Sequence, residues 1–280
     1  MIKPHTITAA VLVENTVSVS ELKAEHGLSV FIKTEYGNIL WDTGQSPLFI
    51  ENASKMGIDL QSIDHVALSH GHYDHTGGLD SLITLNPRVH VHGHPDMFKQ
   101  RYSRSRTNWT SVIQVGSPIV QESVEKSCQS LKLERQMSEV LPGVFLTGEI
   151  PRVSYIEDTG GDFFLDLACI HKDTIPDDQA LFIDTYQGII VFLGCAHSGV
   201  INTLNHIAQI TGKREMYALF GGMHLLRASD KRLEETADIL NHYNVQLIGP
   251  CHCTGSRAQA YFHSRFPDRI KACETGSHMF

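Results

Sequence analysis

The sequence predicts an α/β (α+β) chain in which two sheets pack together with helices outside. Two strand-rich blocks, each closing with helical segments, carry this reading, and so do apolar runs bounded by turn residues. No repeat, linker or low-complexity stretch divides the 280 residues, so 1–280 reads as a single domain. With 41% apolar and 19% charged residues the chain suits a packed core rather than disorder. Its length is enough to bury that core without disulfide staples.

In the first block, 6–13, 28–34 and 38–41 read as strands rich in Val, Ile, Leu and Phe, the last two separated by the turn Glu35-Tyr36-Gly37. Residues 47–56 have helical spacing and stop at Gly57, a suitable residue beyond a helix C-terminus. A short apolar strand at 65–68 runs straight into Ser69-His70-Gly71-His72-Tyr73-Asp74-His75. A helix is expected from about Asp74 or Thr76 to Leu85, and 89–92 returns as a strand. Residues from about 95 to 141 are less regular, carry Arg101, Arg104, Arg106 and Trp109, and read as an insertion or lid.

In the second block, 144–146, 163–170, 180–184 and 188–193 are expected as sheet. Alternation follows: a helix at 200–210, a strand at 216–220, a helix at 231–243 capped by Ser229 or Asp230, and a strand at 245–248.

Charge narrows the function. Lys and Arg number 23 against 31 Asp and Glu, a net charge of −8, which argues against a broad cationic face for nucleic acid. The longest strongly apolar run, 189–196, is far short of the roughly 20 residues of a membrane span. No export signal is visible, and the six cysteines show no CxxC pair, so a cytoplasmic protein with reduced thiols is expected. Histidine, the commonest metal ligand, occurs 17 times.

The densest cluster of chemistry is His70-x-His72-x-Asp74-His75. In an extended segment, residues two apart point the same way, so His70 and His72 can share one ion. Asp74 and His75, where the chain turns into a helix, can project toward a second. Nitrogen and carboxylate donors suit zinc first, with manganese or iron as alternatives. His197, His224 and His252 each follow an apolar strand, the place where α/β sheets build their sites, so they can converge on this cluster.

These residues resemble the metallo-β-lactamase superfamily, whose HxHxDH signature matches His70 to His75. Trp41-Asp42-Thr43-Gly44, Gly194-Cys195-Ala196-His197-Ser198-Gly199 and Cys251-His252-Cys253-Thr254-Gly255 match its other motifs. Thr147 to Arg152, Asp178 to Leu181 and Gly221 to Leu225 are similar to a branch named for the dihydropterin ribofuranosyl-aminobenzene phosphate synthases. The resemblance implies a four-layer αββα sandwich with two divalent ions at one edge. His70, His72 and His197 would hold the first ion, and Asp74, His75 and His252 the second. Asp42 would orient a ligand histidine or simply form the turn before Thr43-Gly44.

One departure concerns a bridging Asp that many members carry between the third and last histidine motifs. His224 stands there instead, as a metal ligand, an acid/base facing substrate or a structural residue. The expected activity is hydrolysis by a metal-bound hydroxide of an ester, lactone or phosphoester in a small molecule, one bearing a pterin or phosphate being among the candidates. Asp74 would ligate and orient the nucleophile and His224 would protonate the leaving group. Arg101, Arg104 and Arg106 would either grip an anion from the lid or form a solvated basic surface. Glu149 would reach the site or form a surface ion pair. Alternation along the strand would turn Cys251 and Cys253 away from the metal. A diiron redox protein on the same fold is the main rival, disfavoured by His72 where flavin-linked members carry Glu; a non-catalytic ligand sensor is another. A homo-oligomer is left open.

Overall fold

The computed structural model describes residues 1–104 and 111–280, apart from the side chain of His5. Arg106 and Trp109 lie outside the described residues. The chain runs through β1 (Thr8–Val13), β2 (Ser29–Thr34), β3 (Gly37–Trp41), α1 (Leu48–Lys55), β4 (His65–Ala67), α2 (Tyr73–Thr76), α3 (Leu79–Leu85) and β5 (His90–Gly93). It continues through β6 (Tyr102–Arg104), β7 (Val112–Gln114), α4 (Gln121–Ser127), β8 (Ser130–Leu133), β9 (Ser138–Leu141), β10 (Val144–Leu146), β11 (Phe163–Phe164) and β12 (Leu181–Thr185). The last elements are β13 (Gly188–Phe192), α5 (Val200–Thr211), β14 (Met216–Gly222), α6 (Asp230–His242), β15 (Leu247–Cys251) and α7 (Ser256–Arg265).

Two sheets result, in the orders β1-β2-β3-β4-β5-β8 and β15-β14-β13-β12-β10-β9. Each mixes antiparallel and parallel strands; β3, β4, β5 and β8 run parallel, as do β13, β14 and β15. Strands covered on both faces lose the in–out alternation of a half-exposed sheet, which is why β13 is apolar and buried throughout after Gly188. Three apolar seams then define four layers. Ile32, Trp41 and Ala67 meet Leu181, Phe192 and Phe220 between the sheets. Phe49, Leu82 and Val124 of α1, α3 and α4 cover the first sheet, and Leu204, Leu233 and Phe262 of α5, α6 and α7 cover the second. The result is an αββα sandwich. The fully buried Trp41 also donates its indole N–H to Leu193 O at 3.2 Å, a polar tie across the central seam.

Several expectations shift. Of 163–170 only Phe163 and Phe164 form a strand, in a small sheet with β6 and β7. The rest turns because the Asp166 carboxylate accepts the backbone N–H groups of Ile170 and His171, at 3.2 and 2.7 Å. The irregular stretch expected up to 141 is not a lid throughout. Val124 is fully buried under the first sheet, β8 extends that sheet, and β9 edges the other. Helix α7 adds an element that its sequence, SRAQAYFHSR, does not announce, since it shows little apolar periodicity; Ala258 and Phe262 anchor it.

The C-terminal ends of β3, β4, β13, β14 and β15 deliver Asp42, Ser69-His70, Cys195 to His197, His224 and His252. At four of these ends a non-glycine residue takes the left-handed region: Asp42, Ala196, His224 and His252, with φ of 58°, 53°, 48° and 52°. Such conformations cost about 1–3 kcal/mol each and persist only where packing enforces them.

On adjacent strands, His65 Nδ1 stands 2.9 Å from Nε2 of the buried His92. Burial, then the neighbouring imidazoles, push His65 down to about 4 and His92 to about 3. The unfolded chain, with ordinary histidines near 6.5, therefore binds more protons, so this stabilisation is full above pH 6.5 and fades as pH falls toward 4. Thermal melts should show Tm dropping over that window, and a His65→Gln, His92→Leu double variant should flatten the drop by several degrees. An unchanged slope would contradict the assignment.

Candidate metal centre

Strand β4 ends against Ser69, and the next residues wrap tightly: a Cβ on Gly71 would lie 1.9 Å from Met97 O, so only glycine passes between His70 and His72. The His72 carbonyl accepts from Thr76 N and Thr76 Oγ1, at 3.1 and 2.9 Å, which starts α2 and places Asp74 and His75 on its first turns.

His70, His72 and His197 form the first donor group, with one ligand atom from each lying within 4.8 Å of the others. His70 Nε2 and His72 Nδ1 are 2.9 Å apart. His197 donates Nδ1–H to Thr159 O at 2.8 Å, which leaves its Nε2 an acceptor, buried and without a hydrogen-bond partner among the described residues. Burial, reinforced by neighbouring imidazoles, drives His70 and His197 well below the ordinary histidine range, and burial brings His72 to about 3. These rings are neutral, with lone pairs available.

Asp74, His75, Cys195 and His252 form the second group, again with one ligand atom from each within 4.8 Å of the others. Asp74 Oδ2 lies 3.3 Å from His252 Nε2, 3.6 Å from His75 Nε2 and 3.1 Å from His26 Nε2. Burial alone would raise Asp74, but His75, His252 and His26 outweigh it and hold the carboxylate well below its usual range. Cys195 Sγ sits 3.2 Å from His75 Nε2.

A layer of partners fixes these donors. Asp42 accepts Ser69 N–H at 2.7 Å, Ser69 Oγ–H at 2.8 Å and His75 Nδ1–H at 2.7 Å, a contact between a buried carboxylate and one histidine of the cluster. Asn15 Oδ1 takes the Nδ1–H of His252 at 2.9 Å and aims its Nε2 inward. Asn15 and His26 carried no sequence signal, because both come from a loop far from every histidine motif.

Arg101 is corrected on both counts: it is neither solvated nor free to grip an anion. It is fully buried, with Nε donating to Asp173 at 2.6 Å and the other nitrogens to Asp177 and Asp96 O. Asp177 also accepts Gly71 N–H at 2.7 Å, so the pair braces the backbone between His70 and His72. Glu149 does not reach the site; it pairs with Arg135 at 2.6 Å and His94 at 3.0 Å.

Of the two thiols expected to face away, Cys253 is corrected too. Strand alternation fails after Cys251, because His252 takes a left-handed φ and opens a 3-10 turn over His252–Thr254. That turns Cys253 toward Cys195 and His224, while Cys251 stays in the core between the sheets. His224 packs its ring 4.5 Å from that of His197 and forms a third possible donor set with Cys195 and His197. Its Nδ1 is buried without a hydrogen-bond partner among the described residues. A cleft of about 810 Å³ opens beside the cluster, lined among others by His26, Phe163, His224, His252 and Cys253.

Fold and site together define an αββα protein with a histidine–carboxylate centre at one sheet edge, and the chain belongs to the metallo-beta-lactamase superfamily, whose model matches residues 22–172. Within it, the chain is 30% identical over 266 residues to the 7,8-dihydropterin-6-methyl-4-(beta-D-ribofuranosyl)-aminobenzene-5'-phosphate synthase of Methanocaldococcus jannaschii, covering 90% of this chain and 89% of that one. A solved metal-dependent hydrolase of the beta-lactamase superfamily is 30% identical, with a TM-score of 0.83 and 98% of both chains covered. Zn(2+)-bound PqqB from Methylobacterium extorquens, 14% identical with a TM-score of 0.59 over 98% of this chain and 99% of that one, shares the fold alone.

Removing one partner from a buried ion pair leaves an uncompensated charge and costs about 3–5 kcal/mol. Arg101→Met should lose stability on that scale in urea denaturation, since Asp173 and Asp177 would remain buried. A loss below about 1 kcal/mol would show that Arg101 does not brace the site.

Proposed function

We propose that this protein is a metal-dependent hydrolase that cleaves an ester, lactone or phosphoester in a small molecule. One observation carries the reading: the neutral, buried Nε2 atoms of His72 and His197, without hydrogen-bond partners among the described residues, converge beside an ionised, buried carboxylate. Such donors fit divalent cations, zinc first and manganese or iron as alternatives. His70, His72 and His197 would hold one ion, and Asp74, His75 and His252 a second, with Cys195 Sγ in reach of that second group. Two ions of this kind supply a water of lowered pKa and polarise the oxygen under attack.

The chain's own residues do the rest. Asp42 and Asn15 keep the lone pairs of His75 and His252 aimed inward. Asp74 orients the attacking oxygen, and His224, on the cleft wall, passes a proton to the leaving group. The cleft is within the size range of small-molecule sites. The name of the Methanocaldococcus relative puts phosphate-bearing molecules among the candidate substrates, and the solved hydrolase relative supports bond cleavage as the chemistry.

The test is turnover of a phosphodiester and a lactone panel by protein purified without added metal. Activity should vanish on chelation and return with one divalent metal. Asp74→Ala should lower turnover by at least about 100-fold and reduce bound metal. Full activity in that variant, or turnover indifferent to chelation, would overturn the proposal.

A further inference from the structure

Arg232, in the first turn of α6, lines the same cleft and is 4% exposed. Its Nη1 donates to Asp158 Oδ1 at 2.7 Å. Nε and Nη2, which share the other edge of the guanidinium, are buried and have no hydrogen-bond partner among the described residues. Leaving charged donors buried and unpaired is costly. Arg101 shows what this protein does with a guanidinium that serves structure: Nε, Nη1 and Nη2 are all engaged. The backbone of Arg232 is fixed in the first turn of α6. Ser229 Oγ accepts its backbone N–H at 3.2 Å, and its carbonyl accepts Thr236 Oγ1–H at 2.7 Å.

The surroundings add charge. Lys172 and Arg227 line the cleft as well, and neither pairs with a carboxylate among the described residues. The opposing acids on the lining are Asp158, already taken by Arg232, and Asp162. Two N–H donors on one guanidinium edge match two oxygens of a tetrahedral or planar oxyanion, and the extra cations favour the dianion.

We propose that Arg232 grips a phosphate monoester group of the substrate side-on, through Nε–H and Nη2–H, with Arg227 and Lys172 supplying further positive charge. This deepens the hydrolase reading, on which it rests. The substrate is a phosphorylated small molecule, and this phosphate is the handle by which the cleft orients it.

The test titrates inorganic phosphate, and separately acetate, into the metal-loaded full chain by calorimetry. Wild type is compared with Arg232→Met and Arg232→Lys, which keeps the charge but loses the fork; Asp158→Asn is the comparison that frees rather than removes the guanidinium. Metal content and Tm verify that each variant is folded and loaded, and Arg232→Lys carries the test where the methionine variant does not fold. Loss of the fork should weaken phosphate binding by about 10- to 100-fold, Asp158→Asn should keep or tighten it, and acetate should bind wild type at least about 10-fold more weakly than phosphate. Phosphate affinity unchanged in both Arg232 variants would place the anion on the metals and overturn the proposal. Acetate bound as tightly as phosphate would overturn the phosphate assignment. Failure of the hydrolase reading has its own signature: no metal-dependent turnover in wild type while phosphate binding still depends on Arg232.

Discussion

An imidazole nitrogen that keeps its lone pair, loses water and gains no donor is an expensive thing to bury. This protein buries several at one sheet edge, and their placement is the constraint the rest of the structure meets. Asp42 is its pivot. One carboxylate accepts Ser69 N–H, Ser69 Oγ–H and His75 Nδ1–H, and so binds the end of β3, the turn after β4 and the start of α2 into a single unit. Without it the His75 ring would have no reason to present Nε2 to Asp74 and Cys195.

The scaffold is shaped around that unit. Parallel strands bring their C-terminal ends to one rim, and left-handed residues at four of those ends bend each chain across it. Behind the rim, Arg101, Asp173 and Asp177 replace solvent as the brace for the His70–His72 backbone. A buried charge network of this sort contributes little net stability, yet breaking it is severe. The cost is accepted where the geometry of the donor cluster must be held.

The histidine-rich turn was legible because its donors lie within six residues, directly after an apolar strand. His197 and His252 were legible for a similar reason: each follows a buried run whose end α/β sheets expose. The sandwich itself followed from strand runs and the helices between them. What escaped depends on partners distant in sequence. Arg101 looked like a surface cation because Asp173 and Asp177 stand more than seventy residues on. Cys253 looked outward because alternation was assumed through a residue, His252, whose φ is positive. Asn15 and His26 reach the cluster from an irregular segment between β1 and β2, and no local pattern marks such a segment. Helix α7 failed on periodicity, since few of its residues face a core.

The most direct test of the metal centre is where metal binds in a crystal of the zinc-loaded chain, read from anomalous scattering at the zinc edge. One peak is expected in coordination range of His70, His72 and His197 and a second in range of Asp74, His75 and His252. A map with no peak among these six side chains, or with zinc bound only elsewhere on the surface, would contradict it.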